Sequence, residues 1–264
     1  TTRREGIVTN LDVGVEILDN FNIKNQNMVG RKYELINRDD NKEFLMDEYQ
    51  KIVSISSIRS TILNGFVSIV FLSWIVAMIA ILFRKHISKN YKETTFFILK
   101  ELLKIGIVMP LSFMITPIMN FKTPLAISLG IIIITLTIYL ISKVLIKNDL
   151  KNMLFFTGLT IVIMVIDAGF GSYLMKSNVM SYDCIIGARY YGVGNEYQGV
   201  AIGSAIFTFA ILLTYKNIPK WSIIVFSLVI LITSASPIMG ANVGSAISEC
   251  VAFLLFILLI YNVK

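Results

Sequence analysis

The sequence predicts an all-α membrane protein: a polytopic bundle of about seven transmembrane helices behind a short extracytoplasmic N-terminal segment. Three observations carry this. Hydrophobic residues make up 55% of the 264 residues and charged ones only 16%, whereas a soluble domain has about 45–50% and about 25%; the mean hydropathy is +0.73. The apolar residues come in long blocks, and a helix needs about 20 of them to cross a bilayer. The connections between the blocks alternate between strongly basic and nearly uncharged.

Residues 1–59 form the first unit. They carry nine Lys/Arg and ten Asp/Glu, and residues 12–59 read as soluble and partly helical. Asp39, Asp40 and Asn41 mark a helix start, and residues 42–59 follow with apolar positions at helical spacing. The chain opens on Thr1 and ends directly behind an apolar block. It is therefore expected to be a piece of a longer or processed protein.

Residues 60–264 form the second unit, the transmembrane bundle. Its seven apolar blocks are 61–83, 102–119, 124–142, 153–174, 199–215, 221–236 and 245–261. The first, third and fifth connections, with Lys104 and Lys264, carry twelve Lys/Arg; the second, fourth and sixth carry only Lys122, Lys176 and Arg189. Basic short loops stay in the cytoplasm. The N-terminal segment is thus expected outside and the C-terminus inside, in a multi-pass protein of the cell membrane. Residues 96–104 are expected along the inner interface, because Lys100, Glu101 and Lys104 share one helical face.

The net charge of +7 follows from these loops. No aromatic-plus-basic surface of an RNA reader is present, so nucleic acid is not an expected partner; the bilayer is. The chain has one histidine, His86, and two cysteines, Cys184 and Cys250, without a CxxC. The usual zinc ligand set is not available within it, and the sequence names no other cofactor. Both cysteines fall on the outer side, where a disulfide is an option. The expectation is two unpaired thiols, with Cys184 reactive in its loop.

The fourth connection holds the densest chemistry. Gly187-Ala188-Arg189-Tyr190-Tyr191-Gly192-Val193-Gly194-Asn195-Glu196-Tyr197-Gln198-Gly199 sets three tyrosines, an arginine, an asparagine and a glutamate among glycines. Arginine offers a bidentate fork to phosphate or carboxylate, and glutamate can act as a base. The plainer reading is an interfacial aromatic belt on a glycine turn. A second small-residue stretch, 234–245, contains Pro237, Gly240, Asn242 and Gly244; its plainer reading is a tight helix–helix turn. Asp167 and Glu249 lie within apolar blocks near the outer end, where carboxylates are expensive and face an interior or a cavity. Arg189, Tyr190, Tyr191, Asn195, Glu196, Tyr197, Asn242, Asp167 and Glu249 are therefore the candidate substrate-binding residues, expected to converge on one outward-facing polar pocket. A purely structural polar network would give the same pattern. No catalytic residue is assigned.

Two stretches resemble known families. Thr2-Arg3-Arg4-Glu5-Gly6-Ile7-Val8-Thr9-Asn10-Leu11-Asp12, then Ile17-Leu18-Asp19 and Phe21, resembles the final strand-and-helix region of alkaline-phosphatase/sulfatase-superfamily domains. Asp12 and Leu18 fit a D-[IL]-A-P-T-[IL]-L pattern, with Gly14, Val15 and Glu16 in place of Ala-Pro-Thr. That superfamily's metal ligands and nucleophile lie upstream, so none transfers to a residue here. The membrane part resembles a kind of Gram-positive membrane protein bearing a G-A-R-[YF]-Y-G-[IVL]-G-N-E-Y stretch. It is also similar, more loosely, to the O-antigen ligase/polymerase family, through Arg189, Gly192 and Asn195 followed by residues 234–244; that family's second arginine is missing. The resemblances imply the membrane portion of a cell-envelope phosphohydrolase- or phosphotransferase-like protein, with a pocket for a phosphorylated lipid or glycan. A glycan ligase or polymerase and a transporter are the alternatives.

Overall fold

The computed structural model describes residues 2–24, 27–187, 190–216 and 218–262. Among these, every regular element is helical and there is no strand. Helix α1 (Asn10–Asn20) is followed by α2 (Asn41–Leu82), α3 (Lys89–Ile115) with a 3-10 turn at Thr116–Met119, α4 (Pro124–Leu145), α5 (Asp149–Gly169), α6 (Tyr173–Lys176), α7 (Asn195–Lys216), α8 (Lys220–Ala235) and α9 (Val243–Tyr261).

Local chemistry sets the boundaries. Thr9 caps α1 in a reciprocal capping box with Asp12. In α4, Thr123 accepts from the Ala126 N–H and Pro124 occupies the first turn. Asn148 and Asn242 cap α5 and α9 in the same way. Residues 2–9, expected to end a strand, form turns and irregular backbone.

Among the described residues, six helices, α2, α3, α4, α5, α7 and α9, are long and apolar enough to cross a membrane. The sixth expected block, 221–236, became α8, which has 16 residues, about 24 Å at 1.5 Å per residue, against a hydrocarbon core of about 30 Å. Pro219 precedes it and Pro237 follows it, and a proline cannot continue a helix. Helix α2 runs unbroken for 42 residues and so passes through the expected boundary between residues 59 and 60.

The bundle has two chemically distinct ends. At one, the N-terminal segment ties down the sparsely charged connections. Lys122 pairs with Asp47 at 2.6 Å, Ser56 Oγ donates to Asp183 at 2.7 Å, and Arg3 donates to the Ile238 carbonyl at 2.7 Å. At the other end the basic connections meet. Lys104 lies between Glu101 (3.1 Å) and Asp149 (2.5 Å), Lys100 also reaches Asp149 (2.6 Å), and Lys143 reaches Glu101 (2.9 Å). Tyr139 donates to Glu101 as well. Residues 96–104 are thus part of the continuous α3. The face carrying Lys100, Glu101 and Lys104 turns toward α4 and α5, because the carboxylate that Lys104 needs sits at the start of α5. Between the ends, Phe113, Met114, Ile131, Met164 and Tyr197 belong to one apolar core, and Phe209, Ile223, Ile230 and Phe253 to a second.

The Lys104 side chain is only 5% exposed, while that of Lys100 is 39% exposed. Removing one partner of a buried pair leaves uncompensated charge and costs on the order of 3 kcal/mol; an exposed pair is worth about 1 kcal/mol or less. Lys104→Ala should lower the thermal unfolding midpoint of the solubilised protein clearly, and Lys100→Ala should barely move it. Equal effects would remove Lys104 as the centre of the network.

Candidate functional site

The two glycine-rich segments meet. The Val193 N–H donates to the Gly240 carbonyl at 2.9 Å, and the Gly240 N–H donates to the Thr233 carbonyl at 2.8 Å. Asn242 Nδ2 donates to the Val193 carbonyl (2.9 Å) and to Asn195 Oδ1 (3.0 Å), while its Oδ1 accepts from the Ser245 N–H (3.1 Å). One side chain therefore caps α9 and holds the start of α7. The approach is possible only for glycine. A Cβ at Gly192, whose φ is +88°, would lie 2.2 Å from the Gly240 oxygen, and one at Gly240 would lie 2.6 Å from the Ser234 oxygen.

The candidate residues separate into groups. Arg189 lies outside the described residues. The Tyr190 hydroxyl sits over Gly187. Tyr191 donates to the Pro237 carbonyl at 3.3 Å, and the Arg3 guanidinium stacks on its ring at 4.5 Å. Asn195 and Glu196 are exposed beside this joint. Glu196 pairs with Arg59 at 2.8 Å, and Arg59 also donates to the Ser181 carbonyl at 2.8 Å. The other three face inward. Tyr197 is fully buried and its hydroxyl donates to the Pro110 carbonyl at 3.4 Å. Asp167 accepts from the Leu174 and Met175 N–H groups, both at 2.8 Å, so its carboxylate satisfies the start of α6. Glu249 is buried between α8 and α9, with Ser234 as its donor at 3.0 Å.

A cleft opens at the same end, beside rather than within this group. Its cavity volume is about 40 Å³. Its polar rim includes Arg4, Glu48, Lys51, Asn120 and Ser177, and its floor is Phe113, Phe121, Ile127, Ile131 and Val179. Cations outnumber carboxylates at the rim. Arg4 donates to the Lys176 carbonyl (2.8 Å) and to Cys184 Sγ (3.0 Å) and stands 3.8 Å from Glu48. Lys51 shares that same carboxylate at 3.0 Å. Lys176 donates to the Arg3 carbonyl at 3.4 Å. Burial, with the nearby Arg4 guanidinium, pushes the Lys176 amine below its ordinary value. Sequence reasoning missed Arg4, Lys51 and Arg59 because each lies in the N-terminal unit, far along the chain from what it touches. For Lys51 and Arg59 the advance signal was the run of charge just before the first apolar block; Arg4 lies far from it.

Among the described residues, no group of three or more His, Cys, Asp or Glu side chains could hold a metal ion. Both cysteines are free. Cys184, expected to be reactive, is half-buried, and burial pushes its thiol up while Arg4 pulls it partly back.

Gly192→Ala should lower thermal stability and yield of folded protein sharply, because the new methyl would strike the Gly240 backbone. Gly199→Ala, with nothing within 4 Å of the added carbon, should be neutral or stabilising by about 0.5–1 kcal/mol. Cys184 should react with a membrane-impermeant maleimide far more slowly at neutral pH than it does in the denatured chain; equal rates would contradict its burial. Comparison with protein-family models, with curated proteins and with solved structures finds no match to this chain.

Proposed function

We propose that the chain is the membrane portion of a cell-envelope protein of phosphohydrolase or phosphotransferase type, and that its cleft receives a phosphorylated lipid or lipid-linked glycan. The cleft carries this reading. Its rim sets Arg4, Lys51 and the nearby Lys176 against one shared carboxylate, and its floor is aromatic and aliphatic. A phosphate head with an acyl or isoprenyl tail has the matching order of charge and oil: guanidinium and ammonium groups bind phosphate, and the tail gains from burial.

Orientation follows from the loops. The end holding the N-terminal segment carries three of the fifteen basic residues in 60–264, so it faces outward and the cleft opens outside. Helix α8 is the seventh crossing in this reading. Lys220 at its start donates to the Ile260 carbonyl at the end of α9 (2.7 Å), and the Thr233 carbonyl near its end meets Gly240 in the joint with α7, so it runs between the same two ends as its neighbours. A short crossing is accommodated by local thinning of the bilayer.

The joint of segments 187–199 and 234–245 favours a second reading, a glycan ligase or polymerase. Two outer segments that set Tyr191, Asn195 and Glu196 side by side over the buried Asn242 make a surface suited to a sugar acceptor.

The test is lipid binding by the purified chain in nanodiscs. Phosphatidic acid should bind at least about tenfold tighter than diacylglycerol, a difference of about 1.4 kcal/mol, and salt should weaken it. Arg4→Ala with Lys51→Ala should abolish the preference. Equal binding of the two lipids, or an unaffected double variant, would rule out the cleft as a phosphate site.

A further inference from the structure

Beneath the glycine joint, a polar column descends between α7 and α9. Asn242, Ser245 and Glu249 are spaced three and four apart and share one face of α9; Asn195 and Gln198 share a face at the start of α7. The column begins at the exposed Asn195, passes through Asn242, which bridges Asn195 and Ser245, and ends at Glu249. There the surroundings are closed: Glu249 is 0% exposed, and Gln198 and Ser234 are 3% each. Glu249 Oε1 accepts from Ser234 Oγ at 3.0 Å. Its Oε2 has no hydrogen-bond partner, and neither polar atom of the Gln198 side chain has one. Gln198 is nevertheless the other polar neighbour of the Glu249 carboxyl.

Among the described residues, no cation answers this carboxylate. The helices packed on α9 are α7 and α8. The ionisable residues of α7 are Glu196, paired with Arg59, Tyr197, whose hydroxyl donates to Pro110, Tyr215 and Lys216; the last two lie at the opposite end of the helix. The charged residue of α8 is Lys220, which donates to the Ile260 carbonyl at the far end of α9. Cys250, on α9 itself, is exposed, and Tyr261 lies at the far end of that helix. An ionised carboxyl without a counter-charge is strongly disfavoured at this depth, and buried polar atoms without partners call for an occupant.

We propose that Glu249, Gln198 and Ser234 form an intramembrane binding site for one small monovalent cation, a proton or a sodium ion, reached from the N-terminal end past Asn195 and Asn242. The available donors are carboxylate, amide and hydroxyl oxygens, the hard set that suits an alkali ion or shares a proton. A proton taken from water onto Oε2 makes that oxygen a donor for the Gln198 carbonyl oxygen. A sodium ion would draw on the same oxygens. Either occupant brings the site to zero net charge. A single carboxylate does not balance a divalent ion. The site is separate from the lipid cleft and stands whether or not the cleft binds phosphate.

The test uses the purified full chain in nanodiscs with dicyclohexylcarbodiimide, an apolar reagent that modifies only protonated carboxyls, read by peptide mass spectrometry. Labelling of Glu249 should fall about tenfold per pH unit above its midpoint. Protection by sodium chloride but not by choline chloride assigns the alkali ion; the same pH dependence without protection assigns the proton. Gln198→Leu should shift the midpoint or weaken the sodium protection, and Glu249→Gln should remove the labelled peptide while the chain still folds. Labelling that is constant across about pH 5 to 9 and indifferent to sodium would mean a permanently neutral structural acid. No labelling at any pH would mean a carboxyl closed to exchange. Either result overturns the proposal.

Discussion

Buried peptide groups that leave a helix must find their hydrogen bonds inside the protein, and the joint between residues 190–195 and 233–242 is organised by that requirement. Asn242 is where it is met. Its amide holds the Val193 carbonyl and the Asn195 side chain while its oxygen caps α9. Gly192 and Gly240 supply the closeness that lets the two segments exchange backbone bonds. The starts of α7 and α9 are fixed relative to each other by this contact, and with them the column leading to Glu249. Asp167 solves the same problem on α5, where its carboxylate takes up two N–H groups of the turn into α6.

The two ends of the bundle use charge differently. At the basic end, Lys104, Glu101 and Asp149 bind α3 to α5, and Lys143 brings in α4. Such a set, partly withdrawn from solvent, fixes helix register more than it adds stability. At the opposite end, charge attaches the N-terminal unit to the connections and helix ends: Asp47 to Lys122, Arg59 to Glu196 at the start of α7, Arg4 to the backbone at Lys176. The cleft forms where this segment bridges across to α3 and α4.

The helices were legible because apolar blocks and capping residues are local signals. Pro124 opens α4 where the sequence places it, and the expected fourth block differs from α5 mainly because Gly169 ends the helix before the turn into α6. The segregation of basic connections was legible for the same reason. Length was harder to read: the block at 221–236 looks like its neighbours in composition, but prolines on both sides hold α8 to fewer than five turns. What one residue finds across the bundle was not legible. Glu196 reads as an open functional group until Arg59 is seen beside it, and Lys104 reads as interfacial until Asp149 is seen. The cleft joins Arg4, Glu48, Phe113, Ile127 and Ser177, a set no spacing rule connects. Tyr197, singled out by its motif, proved to be core because its helix turns that face toward Pro110.

The unbroken α2 has a mechanical consequence. Its 42 residues make a rod about 63 Å long, roughly twice the hydrocarbon thickness. The half that carries Glu48 and Lys51 extends from the half that faces lipid. Helices adjust their tilt to the thickness of the surrounding bilayer. A tilt of about 10° in a rod with about 30 Å projecting displaces its tip by about 5 Å, more than the 3.8 Å that separates Glu48 on the rod from the Arg4 guanidinium. In a bilayer, thickness would then be a lever on the cleft rim, with no ligand required.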